Sequence, residues 1–171
     1  MGVGEAIEKV AMTQRIRFEM SRPVVPDDRS LAVENALSLI EVDRAGLARL
    51  MLEAYRGTVD DEGETLDDAI GVIDALMAGE FGDVDPDASV VYGDGAHPIA
   101  ATLVTHHRGR PLLAFSMTHP SSQRRGLARR GLRHGIGSLA RRGHREIVLV
   151  VTSGNHGAID LYRSEGFVPT A

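Results

Sequence analysis

The chain has 171 residues, 43% of them hydrophobic and 25% charged, with no cysteine. That is the balance of one soluble globular domain with a sizeable core, and it excludes disulfides, thiolate metal sites and a cysteine nucleophile. The net charge of −5 hides a division: residues 1–94 carry 21 acids against 8 bases, residues 95–145 carry ten arginines and no acid, and residues 146–171 carry three acids and one base. An acid-free stretch inside an acidic protein points to a local anionic partner rather than to general polyanion affinity.

The N-terminal stretch MGVGEAIEKVAMTQ lacks the basic start and apolar core of a secretory signal, and Ala6 stands where a myristoylation pattern needs Ser or Thr. No apolar run approaches the roughly 20 residues of a membrane-spanning helix. The expectation is a cytoplasmic protein with no membrane partner. Residues 1–30 read as an N-terminal extension that contains a strand over RIRFEM (15–20) and then breaks at the prolines of SRPVVPDDRS; residues 31–171 read as the domain proper.

A helix is expected over 43–56, with Asp43 as its cap and Leu47, Leu50, Met51 and Ala54 at helical spacing. A second follows the polar loop GTVDDEGET: Thr65 and Asp68 make a capping box, and Gly79 ends it. ASVVYG (88–93), PIAATLVTH (98–106) and PLLAFSMTH (111–119) read as three antiparallel strands. RRGLARRGLRHGIGSLARRG is a helix of about four turns with Leu132, Ile136 and Leu139 as its stripe, and its glycines permit close packing on a sheet. EIVLVV (146–151) has the continuous apolar run of a strand buried on both faces, and a short helix over GAIDLYRSEG follows. This order gives a mixed α/β domain around one sheet.

SSQRRGLARRGL (121–132) carries the chemistry. A strand ends, a polar turn follows, and Gly126 stands at the head of a helix whose first N–H groups lack internal partners. Gly126 and the small Ala128 let a ligand approach the backbone, and Arg124 and Arg125 add positive charge, which makes a pyrophosphate-sized anion site. The alternative is a helix start with a solvated arginine face. The G-x-x-x-x-G-K-[ST] and G-x-G-x-x-G phosphate loops are both absent.

Gln123, Gly126 and Ala128 match the phosphate loop of the GCN5-related N-acetyltransferase (GNAT) family, Arg/Gln-x-x-Gly-x-Gly/Ala. Asn155, Ala158, Leu161, Tyr162, Gly166 and Phe167 match that family's later Asn-x-x-Ala-x-x-Leu-Tyr-x-x-x-Gly-Phe signature at every fixed position. Over about 88–168 the chain therefore resembles this family. The resemblance implies the GNAT-like acyl-CoA N-acyltransferase fold, an α/β architecture with a mixed central sheet, splayed parallel strands and flanking helices. Acetyl-CoA is the implied co-substrate, and a small-molecule or peptide amine is the implied acceptor.

It also implies roles. The backbone of Ser116, Met117 and Thr118 would pair with the pantetheine arm, with an N–H near Met117 or Thr118 polarising the thioester carbonyl. Gln123 and the N–H groups of Arg124, Arg125, Gly126, Leu127 and Ala128 would hold the pyrophosphate, and Arg129 or Arg130 would reach the 3′-phosphate. Tyr162 would give a proton to the CoA sulfur. Asn155, with Ala158, is either a pantetheine contact or a turn former. The loop after the first helix, with Tyr55, Asp60, Asp61 and Glu62, either draws a cationic amine or is a solvated acidic loop. His119, Glu53 and the acids of 60–64 are candidate bases. No His/Asp/Glu spacing suggests a metal. A non-catalytic acyl-CoA-binding module and a nucleic-acid binder are the rivals; the acidic remainder and 4% aromatics favour no nucleic acid. Family chains continue past Gly-Phe into further strands, whereas here only four residues follow Phe167. Either the last strand is lost, or RIRFEM, from the same chain or from a partner, covers that edge; an uncovered edge would invite association into a homodimer.

Overall fold

The computed structural model describes residues 15–26, 28 and 36–170, so the expected boundary at 30/31 lies outside the described residues. Eight strands form one sheet: β1 (Arg17–Pro23), β2 (Ala36–Leu37), β3 (Asp83–Val84), β4 (Val90–Gly93), β5 (Pro98–His107), β6 (Arg110–Thr118), β7 (Glu146–Thr152) and β8 (Val168–Pro169). Among the described residues four α-helices flank it: α1 (Arg44–Tyr55), α2 (Leu66–Met77), α3 (Leu127–Arg141) and α4 (His156–Ser164). The strand order is β2-β4-β5-β6-β7-β1-β8, with β3 pairing β5. Among the described residues no helix is long and apolar enough to cross a membrane.

The helices start where their caps are. Asp43 accepts from the N–H groups of Ala45 and Gly46, and Thr65 and Asp68 bond reciprocally at the start of α2. Leu47 and Leu50 of α1 and Ile73 and Leu76 of α2 then cover one face of the sheet over Val91, Leu103 and Met117. Leu132, Ile136 and Leu139 of α3 and Ile159 and Tyr162 of α4 cover the other over Val104, Ile147 and Leu149. The expected close packing of α3 occurs at Gly131, where a Cβ would sit 2.1 Å from the Thr102 hydroxyl. At Gly135 it would sit 2.8 Å from the Ala88 carbonyl.

Three local readings needed correction. The N-terminal strand starts at Arg17 and runs on to Pro23, into the segment expected to break. The reason is a full antiparallel ladder against β7, from Arg17 opposite Thr152 to Pro23 opposite Glu146; a proline at the end of a strand costs no central ladder bond. β1 thus covers the β7 edge from within the same chain, and β8 lies along β1 through Met20 and Ser21. Second, β7 is not buried on both faces, because Val150 is 56% exposed. Third, the strands β2, β3 and β8, two residues each, had no sequence signal.

Val150 is open because the sheet splits beside it. β6 and β7 are parallel and paired only at Leu112–Val148 and Leu113–Leu149. Just beyond, the β5–β6 register shifts between Leu103 and Val104, which leaves Ala114 as an extra residue in β6. A bulge bends its strand, and here it bends β6 away from β7. The two strands part toward their C-terminal ends, as the resemblance implied.

The far end of the sheet is held by a buried carboxylate. Asp85 accepts from Arg142 at 2.7 Å, from His106 at 2.6 Å and from the Ala88 N–H at 3.0 Å. Burial pushes its carboxyl up, but these donors outweigh burial and hold it below the usual carboxylate range. Asp85→Ala strips three donors of their acceptor. Because Arg142 and His106 keep partial access to water, the expected loss is about 1–3 kcal/mol in urea unfolding. A loss below about 0.5 kcal/mol, the range of ordinary surface substitutions, would contradict this reading.

Candidate active site

A cavity of about 530 Å³ opens where β6 and β7 part. The α1–α2 side contributes Met51, Leu52, Tyr55, Val72 and Phe81, and the α4 side contributes Asn155, Ala158 and Tyr162. The cavity therefore joins the two faces of the sheet through the split.

On the α4 side, Tyr162 is 8% exposed. Burial pushes its hydroxyl up to about 12; a hydrogen bond with Ser116 opposes the shift and the nearby Asp60 charge adds to it. At neutral pH the side chain is a neutral phenol able to give a proton. Tyr55, on the opposite wall, is raised for the same chief reason, with Tyr162 and Asp60 contributing. Ser116 lines the cavity beside these groups. Met117 is 1% exposed with its side chain in the α1–α2 core and its backbone paired with Ala101 of β5, so the free flank of β6 is offered by Ser116 and Thr118. Thr118 ends β6 and is half-buried.

The α3 N-terminus lies at the open end of β6. Gly126 caps it with φ +74° and no side-chain cap, and a Cβ there would meet nothing within 4 Å. The first hydrogen bond back into the cap is Arg130 N–H to the Gly126 carbonyl at 3.0 Å. The N–H groups of Leu127, Ala128 and Arg129 therefore face out of the helix end. Arg124 also has positive φ, +64°, a conformation that costs a non-glycine residue roughly 1 kcal/mol and turns the chain into this cradle. Leu127, 7% exposed, anchors the helix start, while Gln123 is exposed.

The arginines divide. Among the described residues, the guanidinium groups of Arg124 and Arg125 have no protein partner. Arg130 donates to the Arg125 carbonyl at 3.1 Å and steadies the loop. Arg129 is committed to Glu165 at 2.9 Å and Ser164 at 3.0 Å, and Arg133 joins it on Glu165. The structure thus directs Arg129 toward the end of α4 instead of the cradle.

The acidic loop also divides. Asp60 and Glu64 line the cavity. Asp60 accepts from the Thr152 hydroxyl at 2.5 Å on one oxygen and from the Asn155 amide at 3.2 Å on the other. Asn155 meanwhile caps α4, accepting from the Ala158 N–H at 3.2 Å. Both ends of its amide are engaged within the protein, so the turn-forming role is realised. Asp61 is spent on the loop itself: the N–H groups of Gly57 and Gly63 hold its carboxyl below the usual range, with Arg56 assisting. Glu62 pairs with Arg15. Of the four expected acceptor-side residues, Tyr55 and Asp60 reach the cavity and Asp61 and Glu62 do not.

His119 and Glu53 bond to each other, Nε2 to Oε2 at 3.1 Å, outside the cavity lining. His119 Nδ1 accepts from the Ser121 N–H at 3.1 Å, which leaves the ring proton on Nε2 facing Glu53. This pair ties β6 to α1. Arg17 and Thr152 line the cavity and had not been singled out. Thr152 had one usable signal, its place at the end of the strand that leads into the Asn155 signature.

Solved structures share this architecture. A GCN5-related N-acetyltransferase from Sphaerobacter thermophilus superposes with a TM-score of 0.64 at 18% identity, over 98% of this chain and 53% of its own. A GNAT family acetyltransferase from Brucella melitensis, in complex with acetyl-CoA, gives 0.58 at 19% identity, over 80% of this chain and 86% of its own. The aminoglycoside N-acetyltransferase AAC(6′)-Iy in complex with CoA gives 0.57 at 12% identity, over 93% of each. This chain thus spans about half the length of the first of these. No curated protein matches it in sequence. The model of the Acetyltransferase (GNAT) family matches residues 47–167, from α1 through the phosphate-loop and Asn-to-Phe motifs. By that match, over more than half of its length, the chain belongs to the GNAT acetyltransferase family.

Proposed function

We propose that this protein is an acetyl-CoA-dependent N-acetyltransferase that acetylates a primary amine by direct attack on the thioester. The observation that carries the reading is the cavity through the split sheet, which has the α3 N–H cradle beyond one end and both Tyr162 and Asp60 in its lining. The residues present fit acetyl-CoA. The free flank of β6 beyond Leu113 is open to an extended pantetheine arm, with the backbone of Ser116 to Thr118 beside it. Gly126 leaves open space before three unpaired N–H groups, which suits a pyrophosphate. Arg124 and Arg125 supply uncommitted positive charge.

Bound there, acetyl-CoA supplies an activated acyl group. The chain's residues handle the protons. Asp60, oriented by Thr152 and Asn155, takes one proton from the incoming ammonium. As the nitrogen–carbon bond forms and the carbon–sulfur bond breaks, the electron pair leaves on sulfur and Tyr162 gives it a proton. The second proton lost by the nitrogen restores the phenol. The Thr118 N–H, on the flank of β6 turned away from β5, faces the carbonyl oxygen, and Asp60 with Glu64 attracts the ammonium of the acceptor.

The test is release of free thiol from acetyl-CoA on addition of amines, run beside a thermal-shift titration with acetyl-CoA. The reading expects both signals. A thermal shift without thiol release from any amine would make the protein an acyl-CoA-binding module. No shift at all would overturn the assignment.

A further inference from the structure

One cation in the cavity has no role in that chemistry. Ile147, Leu149 and Val151 point into the core under α3 and α4. Alternation then turns Val150 and Thr152 to the opposite, acceptor-side face. Arg17 lies directly across from Thr152 in the β1–β7 ladder, so it shares that face, with Cβ atoms about 5 Å apart. It lines the cavity.

Thr152 is also the residue that holds Asp60. A guanidinium and a carboxylate thus stand on either side of one threonine, yet they form no ion pair. Among the described residues the guanidinium of Arg17 has no hydrogen bond or ion pair. Its charged neighbours along the chain are committed. Arg15 is bound to the Asp60 and Asp61 carbonyls and to Glu62. Glu19 is bound to Arg110. Arg17 alone is left facing the cavity.

We propose that the acceptor is a zwitterion, a small amino acid that carries its carboxylate beside the reacting amine. This rests on the transferase reading and narrows it. The amine meets Asp60, and the carboxylate takes the planar fork of Arg17, which offers two parallel donors. The side chain of the acceptor then lies against Leu52, Val72 and Phe81, so an apolar amino acid fits best. A polyamine would leave the guanidinium unpaired and add a cation beside it.

The experiment is a calorimetric titration of L-methionine, L-phenylalanine and L-leucine, each beside its carboxamide, into protein saturated with CoA. Spermidine serves as the cationic comparator. At least one acid is expected to bind ten-fold or more tighter than its amide, and tighter than spermidine. Arg17→Gln is expected to bring acid and amide within about two-fold of each other. Its melting temperature should not change, because the exposed side chain holds nothing in the fold. Equal binding of acids and amides, no binding by any of the three acids, or an acid preference that survives Arg17→Gln overturns the proposal. Binding is read without turnover, so an acid that binds but is never acetylated would count against the transferase reading and not against this one.

Discussion

Tyr162→Phe is expected to lower kcat by about 10²–10⁴-fold while leaving the affinity for acetyl-CoA within a few-fold of wild type. The size is that of losing a positioned proton donor. The selectivity follows from the geometry: Phe keeps the packing against Ile159 and Phe167 and removes only the hydroxyl that reaches Ser116 and the Asp60 field. The pH dependence has a definite sign. Burial puts the phenol at about 12, so the donor form stays filled across the neutral and mildly alkaline range. Any alkaline fall in wild-type rate below about pH 11 must come from another group. A Phe variant with near wild-type kcat in steady-state thiol release would remove Tyr162 from the chemistry.

Asp60→Asn is the second large effect. It keeps the shape of the side chain but removes the base, and kcat/KM at neutral pH is expected to fall by about 10²–10⁴-fold. The loss should shrink as pH rises. The variant depends on the acceptor arriving already deprotonated, so its rate should climb about ten-fold per pH unit up to the pKa of the amine, roughly 8–10. A purely structural role for Asp60 would lower the rate by the same factor at every pH. Glu53→Gln or His119→Gln should leave this profile unchanged, because that pair lies outside the cavity.

Much of this was legible in the sequence because its signals are local. Asp43 and Thr65 announce α1 and α2 within one turn of themselves, and Gly126 and Gly143 bracket α3. The two family motifs bind short stretches to known places in a fold. What escaped was made by contacts across the chain. Asp60 becomes a cavity carboxylate through Thr152 and Asn155, which are 92 and 95 residues away in sequence. Asp61, its neighbour and chemical twin, is consumed by the turn at Gly57 and Gly63. Four adjacent acids look alike until the loop folds. Val150 reads as core because the run EIVLVV is uniformly apolar, and only the bulge at Ala114 in a different strand opens its face. Arg129, expected at a phosphate, pairs with Glu165, a nearly buried acid on a different helix end that a linear reading does not pair with it.

The central claim is that the α3 N-terminus holds the anion through backbone, with the arginine side chains assisting. Calorimetric titration of acetyl-CoA into wild type, Gly126→Asp and Arg130→Ala tests it most directly. Aspartate tolerates the positive φ at this position and meets no protein atom there, so its fold should survive. Its carboxylate would stand against the pyrophosphate, a repulsion of about 4 kcal/mol at 4 Å for an effective dielectric constant of about 20 near a protein surface. We expect Gly126→Asp to weaken binding by about 30–100-fold and Arg130→Ala by only a few-fold. Equal losses, or tight binding retained by Gly126→Asp, would contradict the account.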